Sequence, residues 1–214
     1  PLYSSAASDV YKRQAATRHI YDPPRSTWDG RFELLLIGSA EEREAARDAL
    51  KQAGFGSPLP GVFVAPAGAA VPEQAASAIR LDVSADQEMA RRLLAASWTL
   101  DRTAEAYLKF MRSFAPLRAW IEKRESLSES DAFTARILLI HHYRRIVLRD
   151  PLLPPELLPK DWPGRKARAL CGEIYRLLLP TSERWLDRHA LDENGPLPPA
   201  GPALALSLIH ISEP

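Results

Sequence analysis

The sequence predicts an α+β protein, with a small ferredoxin-like α/β sandwich followed by an all-helical domain. Between residues 28 and 85, strand and helix patterns alternate, as they do in small α/β sandwiches. From Asp86 onward, apolar residues recur at helical spacing. The length of 214 residues fits one or two domains, and 46% hydrophobic residues are enough to fill their cores.

The first half is predicted to follow the order strand, helix, strand, helix, strand. Ser39, with Glu42 three residues later, is typical of a helix N-terminus, and Gly54 is typical of a helix end. The prolines of GFGSPLPG predict a turn at residues 54–61. Strands are expected at residues 32–37, 61–65 and 79–83, and helices at 41–53 and 72–78.

The second half is predicted to be helical. Asp101 is expected to cap a helix that Pro116 kinks or divides, and Ser130 or Asp131 to cap the next helix. A last helix over residues 164–189 should bend or break at Pro180. A linker-like segment then follows.

The central helix, residues 131–149, carries a broad apolar side. That side contains Phe133, Ile137, Leu139, Ile140, Tyr143, Ile146, Val147 and Leu148. Arg144 falls in the middle of it, where a charge must be paired or meet a ligand. Arg144 and Asp150 are therefore predicted to be buried structural charges. His142, Arg145 and Arg149 fall on the opposite side.

A proline-rich segment, PLLPPELLPKDWPG, follows the central helix. It contains too many prolines for a helix or a central strand. We expect an ordered strap whose leucines and Trp162 hold it over the helices.

Two sequence blocks resemble a known family. HHYRRIVLRDPLLPPELLPKDWPG, followed by a helix with Tyr175 and Trp185, resembles the C-terminal domain of the PaaX family, transcriptional repressors of phenylacetic acid degradation operons. Trp28-Asp29-Gly30-Arg31 before a strand, with AGFGSPLPGVFVAP, resembles that family's middle domain. Together the blocks span about residues 20–189.

The resemblance implies a bacterial, cytoplasmic repressor that works as a homodimer and leaves its operator on binding phenylacetyl-coenzyme A. In the family, DNA is bound by an N-terminal winged helix, which these residues do not include. By itself the chain is therefore expected not to bind an operator specifically. The expected segments are an artefactual leader (1–14), a linker (15–27), the middle domain (28–85), the helical domain (86–190), and a linker and tail (191–214). The leader and residues from about 206 onward resemble translated sequencing-adaptor read-through.

Phenylacetyl-coenzyme A needs an apolar pocket for its phenyl ring and basic groups for its phosphates, and a related acyl-coenzyme A would satisfy the same groups. The predicted contacts are His142, Arg145 and Arg149, with the aromatic residues Trp98 and Tyr107. The alternative is a solvated basic face that pairs with Asp150, Asp161 or Glu173.

Composition argues against several other classes. A net charge of +1 gives no general attraction to nucleic acid or to an anionic membrane, and no apolar run reaches the ~18 residues of a membrane span. The single Cys171 cannot form an internal disulfide, and no zinc-type Cys/His spacing occurs. No G-x-S-x-G elbow, G-x-G-x-x-G motif or P-loop occurs, so no enzymatic activity and no cofactor are predicted, and no metal site is predicted either.

Two other functions stay open. One is a metal-dependent hydrolase or nuclease that uses His141 or His142, although neighbouring residues on a helix point about 100° apart. The middle domain also resembles the CRISPR-associated spacer-acquisition nuclease. Where that nuclease carries an acidic metal ligand, this chain has Gly38 and Ser39, which favours a structural or dimerising sheet. The other function is a ligand-sensing module without DNA binding.

Overall fold

Residues 27–123, 127–192 and 195–196 are described by the computed structural model. Predictions for the leader, for residues 15–26 and for the tail beyond residue 196 lie outside them. The chain divides into a sheet unit, described over residues 27–103 and 148–162, and a helical unit, described over residues 104–123, 127–147, 163–192 and 195–196. The predicted boundary at residue 85 differs from this division, because the helix after it and the strap both belong to the sheet unit.

The sheet unit contains a four-stranded antiparallel sheet in the order β2-β3-β1-β4. The strands are β1 (Arg31–Leu36), β2 (Gly56–Leu59), β3 (Val62–Pro66) and β4 (Ile79–Ser84). Helix α1 (Ala40–Gln52) follows β1, and a single 3-10 turn (Glu73–Ala75) precedes β4. This is the ferredoxin-like split βαβ order with its second helix reduced to one turn. The α+β fold class is confirmed.

Strand β2 lies in the segment that was predicted to be only a turn, so that prediction was wrong. Pro58 cannot donate a hydrogen bond to a neighbouring strand, which is why it argues against a central strand. β2 is an edge strand, where a proline is tolerated.

The predicted signals at both ends of helix α1 are confirmed. The Ser39 hydroxyl accepts a hydrogen bond from the backbone N–H of Glu42 at 3.1 Å and donates one to the Glu42 carboxylate at 2.9 Å. At the other end, Gly54 has φ +88°, a conformation that residues with a Cβ rarely adopt.

Both faces of the two central strands, β1 and β3, are covered, because side chains alternate along each strand. Leu35, Ile37 and Phe63 pack with Ala46 and Leu50 of α1. The opposite face forms a second cluster, whose buried members are Phe32, Val64, Ala90, Leu94, Leu153 and Leu157. Helix α2 (Gln87–Ser97) supplies Ala90 and Leu94 to it, and begins where the Asp86 carboxylate accepts a hydrogen bond from the Met89 N–H at 2.8 Å.

Within the strap, residues 151–162 are irregular except for one 3-10 turn (Pro155–Leu157), as the prolines predict. The prediction that its leucines lie over helices was incomplete. Leu153 and Leu157 are buried against Phe32 and Val64 of the sheet as well as α2. The strap therefore completes the core of the sheet unit.

The helical elements are α3 (Leu100–Glu122), α4 (Glu129–Val147) and α5 (Gly164–His189). The predicted range of α5 is confirmed. Pro116 and Pro180 lie inside continuous helices, so neither proline divides its helix, and the other predicted outcome, a kink or bend, stays a prediction. A proline removes one hydrogen bond to the carbonyl four residues earlier, and the remaining turns hold each helix together.

The predictions for two helix caps and for the segment after α5 were also wrong. Asp101 lies inside the first turn of α3 rather than before it. The cap of α4 is Ser128, whose hydroxyl accepts a hydrogen bond from the Asp131 N–H at 3.1 Å. After α5, the expected linker instead contains two short paired strands, β5 (Leu191–Asp192) and β6 (Gly195–Pro196).

The prediction of which side of the central helix is buried, that is, the phase of its buried stripe, was wrong. The buried residues of α4 are Ala132, Arg136, Leu139, Tyr143 and Val147, whereas Ile137 is 51% exposed and Arg144 is also exposed. Apolar residues occur on nearly every side of this helix, so the pattern alone did not select a stripe. The packing of α5 selects it.

The strap's contribution to stability can be measured with Leu153→Ala. Leu153 is 1% exposed, and deletion of a buried leucine side chain costs about 2 to 5 kcal/mol. We expect chemical denaturation to show a loss in this range. The control Leu59→Ala removes a side chain that is 64% exposed and should change stability by about 0.5 kcal/mol or less. Equal losses for the two variants would contradict the buried strap.

Candidate functional site

Two of the predicted effector contacts, His142 and Arg145, lie on the exposed side of α4 in the helical unit. The imidazole of His142 meets the ring of Phe114 edge-on, with 5.9 Å between ring centroids. Neither side chain forms an ion pair with any residue that the structure describes. Both are therefore available to an anionic ligand.

Arg149 does not lie on the same helix face as Arg145, contrary to the prediction. Helix α4 ends at Val147, so the four-residue spacing no longer places the two arginines one turn apart. The chain turns here because the Asp150 carboxylate accepts a hydrogen bond from the Leu152 N–H at 2.9 Å, and Leu152 has φ +49°. Arg149 is exposed and belongs to the sheet unit.

The two aromatic candidates, Trp98 and Tyr107, are packed side chains in different units. Trp98 is half-buried in the sheet unit, where its indole N–H donates to the carbonyl of Gly54 at 3.2 Å. Its ring lies so close to Gly56 that a Cβ there would come within 2.6 Å of it. Tyr107 on α3 is only 2% exposed, within the helical unit.

The two predicted buried charges are not buried as expected. Arg144 is exposed because the buried stripe of α4 runs through Leu139 and Tyr143, about 100° away around the helix. Asp150 is half-buried in the turn that follows α4. An arginine side chain that reaches water needs no buried partner.

Arg144 instead joins a cluster in the last two turns of α4, which we call the basic end of α4: His141, His142, Arg144 and Arg145. All four side chains are exposed, and none is in an ion pair within the described ranges. Positive charge is favourable there because a helix C-terminus carries a partial negative charge. Glu173, one suggested partner for a solvated basic face, forms an ion pair with Arg118 of α3 at 3.1 Å.

The buried arginine of the helical unit is Arg136, which the sequence prediction missed. It is 8% exposed and donates a hydrogen bond to the carboxylate of Glu183 on α5. Its guanidinium also lies over the ring of Tyr175, 5.6 Å from the centroid. The signal in the sequence was the spacing of Ala132, Arg136, Leu139 and Tyr143, which forms a helical stripe of its own.

Helices α4 and α5 run antiparallel, and residues at the start of α4 contact residues at the end of α5. Glu129 accepts hydrogen bonds from Arg184 at 3.1 Å and Arg188 at 2.8 Å. Phe133 stacks on Trp185 with 4.4 Å between centroids. Paired charges and stacked rings thus hold the two helices in one register.

The remaining reactive side chains have simple surroundings. Cys171 is fully buried on α5, and burial raises the pKa of its thiol to about 12, so the thiolate is disfavoured at neutral pH. Within the described residues, no three His, Cys, Asp or Glu side chains converge as metal ligands. No described helix is both long and apolar enough to span a membrane.

The chain is similar to known proteins in sequence and in fold. Residues 98–188 match the family model for the PaaX-like protein C-terminal domain. The chain is 32% identical over 216 aligned residues to Transcriptional repressor PaaX of Escherichia coli (strain K12), covering 94% of this chain and 68% of that protein. The chain belongs to the PaaX family. A solved structure, Uncharacterized protein Rv0674 from Mycobacterium tuberculosis, is 24% identical with a TM-score of 0.59 and shows the same fold over 82% of this chain and 71% of its own.

The PaaX family match includes the features that distinguish the helical unit. It spans residues 98–188, which contain both the basic end of α4 and the Arg136–Glu183 ion pair. The candidate site is thus part of the PaaX-like C-terminal domain.

The corrected arginine assignment predicts opposite results for two alanine variants. Arg136→Ala leaves Glu183 partly buried without its partner. Breaking a fully buried pair costs about 3 to 5 kcal/mol, so we expect about 2 to 3 kcal/mol because the Glu183 side chain is 25% exposed. Arg144→Ala should change stability by about 0.5 kcal/mol or less. Urea unfolding measures both. If Arg144→Ala were the more damaging substitution, the phase of α4 described here would be wrong.

Proposed function

We propose that this PaaX-family protein is a bacterial, cytoplasmic transcriptional repressor of phenylacetic acid catabolism genes, and not an enzyme. The observation that carries the proposal is the 32% identity to Transcriptional repressor PaaX over 94% of the chain. In this proposal the protein acts as a homodimer, and operator DNA is bound through a winged helix. The residues described here form the part that senses the effector and brings two subunits together.

The proposed effector is phenylacetyl-coenzyme A, whose phosphates bind at the basic end of α4. The support is electrostatic: His141, His142, Arg144 and Arg145 are exposed within two helical turns and have no acidic partner among the described residues. Charge-assisted hydrogen bonds to phosphate are stronger than neutral ones. Arg144 is an addition to the contacts predicted from the sequence.

The phenyl ring of the effector is proposed to bind at the aromatic cluster beside His142. Phe114 of α3 contacts His142, and Phe110 lies 4.9 Å from Phe114 and 5.7 Å from Tyr143 between ring centroids. Phe114 is half-buried, so one side of this cluster is accessible. Apolar surface therefore borders basic side chains within the helical unit, which is the combination that the effector requires. Tyr107 and Trp98 stay predictions as effector contacts, because each side chain is packed within its own unit.

The regulatory role is tested by disrupting the gene and measuring transcripts of the phenylacetate catabolism genes without phenylacetate in the medium. A repressor predicts that these transcripts rise, and that a plasmid copy of the gene lowers them again. Unchanged transcripts, together with retained ligand binding by the protein, would instead support a ligand sensor that does not control these genes.

The effector site is tested by calorimetric titration of Arg145→Ala. Loss of one charge-assisted contact removes about 1.5 to 3 kcal/mol, so affinity for phenylacetyl-coenzyme A should fall about tenfold or more. Arg92→Ala, which removes an exposed arginine from α2 in the sheet unit, is the matched control and should bind like the parent.

Two further ligands distinguish the contribution of the phosphates from that of the phenylacetyl group. Acetyl-coenzyme A shares the phosphates and should also bind less tightly to Arg145→Ala, whereas free phenylacetate lacks them. Equal affinity of parent and Arg145→Ala for phenylacetyl-coenzyme A would remove the basic end of α4 from the site.

A further inference from the structure

Strand β4 forms one edge of the sheet, and its side chains are complementary to those of a second, antiparallel copy of β4. β4 (Ile79–Ser84) ends the strand order, and among the described residues it pairs with β1 alone. Ile79 is 63% exposed and Leu81 is 44% exposed. Exposed apolar edge strands are templates for pairing with another strand, and proteins usually protect them.

The direction of the backbone groups on β4 follows from its register with β1. The Ala85 N–H donates to the Gly30 carbonyl at 2.9 Å, in line with the pairing of Phe32 with Val83 and Leu34 with Leu81. In an antiparallel ladder the hydrogen-bonded pairs alternate. The N–H and C=O groups of the intervening residues, Arg80, Asp82 and Ser84, therefore point away from β1 and are available to another strand.

We propose that two copies of this chain associate through antiparallel pairing of β4 with β4, which makes one continuous sheet across the dimer. This inference rests on the dimer in the proposed function and gives it a surface. Only registers that place outward-facing residues opposite one another can form hydrogen bonds. Among these, one sets Arg80 opposite Arg80, another sets Asp82 opposite Asp82, and the one between them sets Arg80 opposite Asp82 twice.

Charge selects the intermediate register, because like charges directly opposite each other destabilise a strand pair and opposite charges stabilise it. Asp82 forms no hydrogen bond or ion pair with a described residue. Arg80 already donates to the buried carboxylate of Glu33 at 2.6 Å and has further N–H groups to offer. In the dimer, each Arg80 would lie between Glu33 of its own chain and Asp82 of the other.

The opposite face of the same register is apolar. Leu81 meets Leu81 of the other copy at the two-fold axis, and Ile79 meets Val83. These residues share a face of β4 because side chains alternate along a strand. The register thus joins exposed leucine and isoleucine on one face and opposite charges on the other, which suits a second copy of this chain better than an unrelated strand.

The first test is disulfide trapping. In the proposed register the two Leu81 residues form a pair without hydrogen bonds, whose Cα atoms are about 4.5 Å apart. This lies within the range of about 4.4 to 6.8 Å that a disulfide spans. Leu81→Cys should therefore give a covalent dimer under mild oxidation, of twice the 23.8 kDa chain mass. The native Cys171 is buried and does not compete.

The controls come from the same strand. The two Ile79 positions would be displaced by four residues, about 13 Å along the strand direction, so Ile79→Cys alone should not cross-link. Mixed with Val83→Cys it should form the mixed dimer. Cross-linking of Ile79→Cys with itself, or of Leu81→Cys only with Ile79→Cys, would overturn the proposed register.

The second test measures association directly by sedimentation equilibrium. Asp82→Arg places arginines opposite each other at two symmetric positions and should weaken dimerisation about tenfold or more. Asp48→Arg makes the same charge change on the exposed side of α1 and should leave it unchanged. A parent dimer that Asp82→Arg does not weaken, and that Leu81→Cys does not trap, overturns the surface and leaves the proposed function intact. A monomeric parent overturns both this inference and the proposed dimer, whereas the transcript and titration experiments still report on repression and effector binding.

Discussion

The sheet unit depends on the burial of both faces of one central strand. Phe32 and Leu35 of β1 are fully buried on opposite faces, so the chain must provide two separate covers. Helix α1 immediately follows the strand and covers one face. The other face is covered by α2 and by the strap, which begins more than 50 residues after the end of α2. The proline-rich segment, which is part of the block that resembles the PaaX C-terminal domain, is therefore a structural part of the sheet unit.

The packing of the helical unit depends on a buried charge as well as on apolar side chains. Arg136 is buried between Glu183 and the ring of Tyr175, and its neighbours along the buried stripe are Leu139 and Tyr143. An unpaired guanidinium would be costly at this position, so α4 and α5 can pack closely only in the register that supplies the carboxylate. That register leaves the basic end of α4 facing water. The register that contains this buried ion pair therefore leaves both arginines of HHYRR exposed.

The sequence predicted the fold class, the cap at Ser39, the range of α5 and the irregular strap, because each has a strong local signal. Strand β2 was missed because Pro58 is compatible only with a sheet edge, and edges are defined by tertiary structure. Arg144 was taken for the buried charge because α4 is apolar on most sides, and the correct phase depends on Glu183, 47 residues away from Arg136. For the site, His142 and Arg145 are exposed as predicted, whereas Arg149 was placed on a helix that ends two residues before it.

The strap is far in sequence from the strands that it covers, and this separation affects folding during translation. Phe32 and Val64 leave the ribosome early, yet Leu153 and Leu157, which shield them from water, are synthesised only after α3 and α4. Contacts between distant residues form slowly, and apolar surface left open in the meantime promotes aggregation. The nascent sheet therefore stays partly uncovered during translation of about 90 further residues beyond β3. A chain cut short between α4 and the strap would contain all four strands of the sheet and would still lack a closed core.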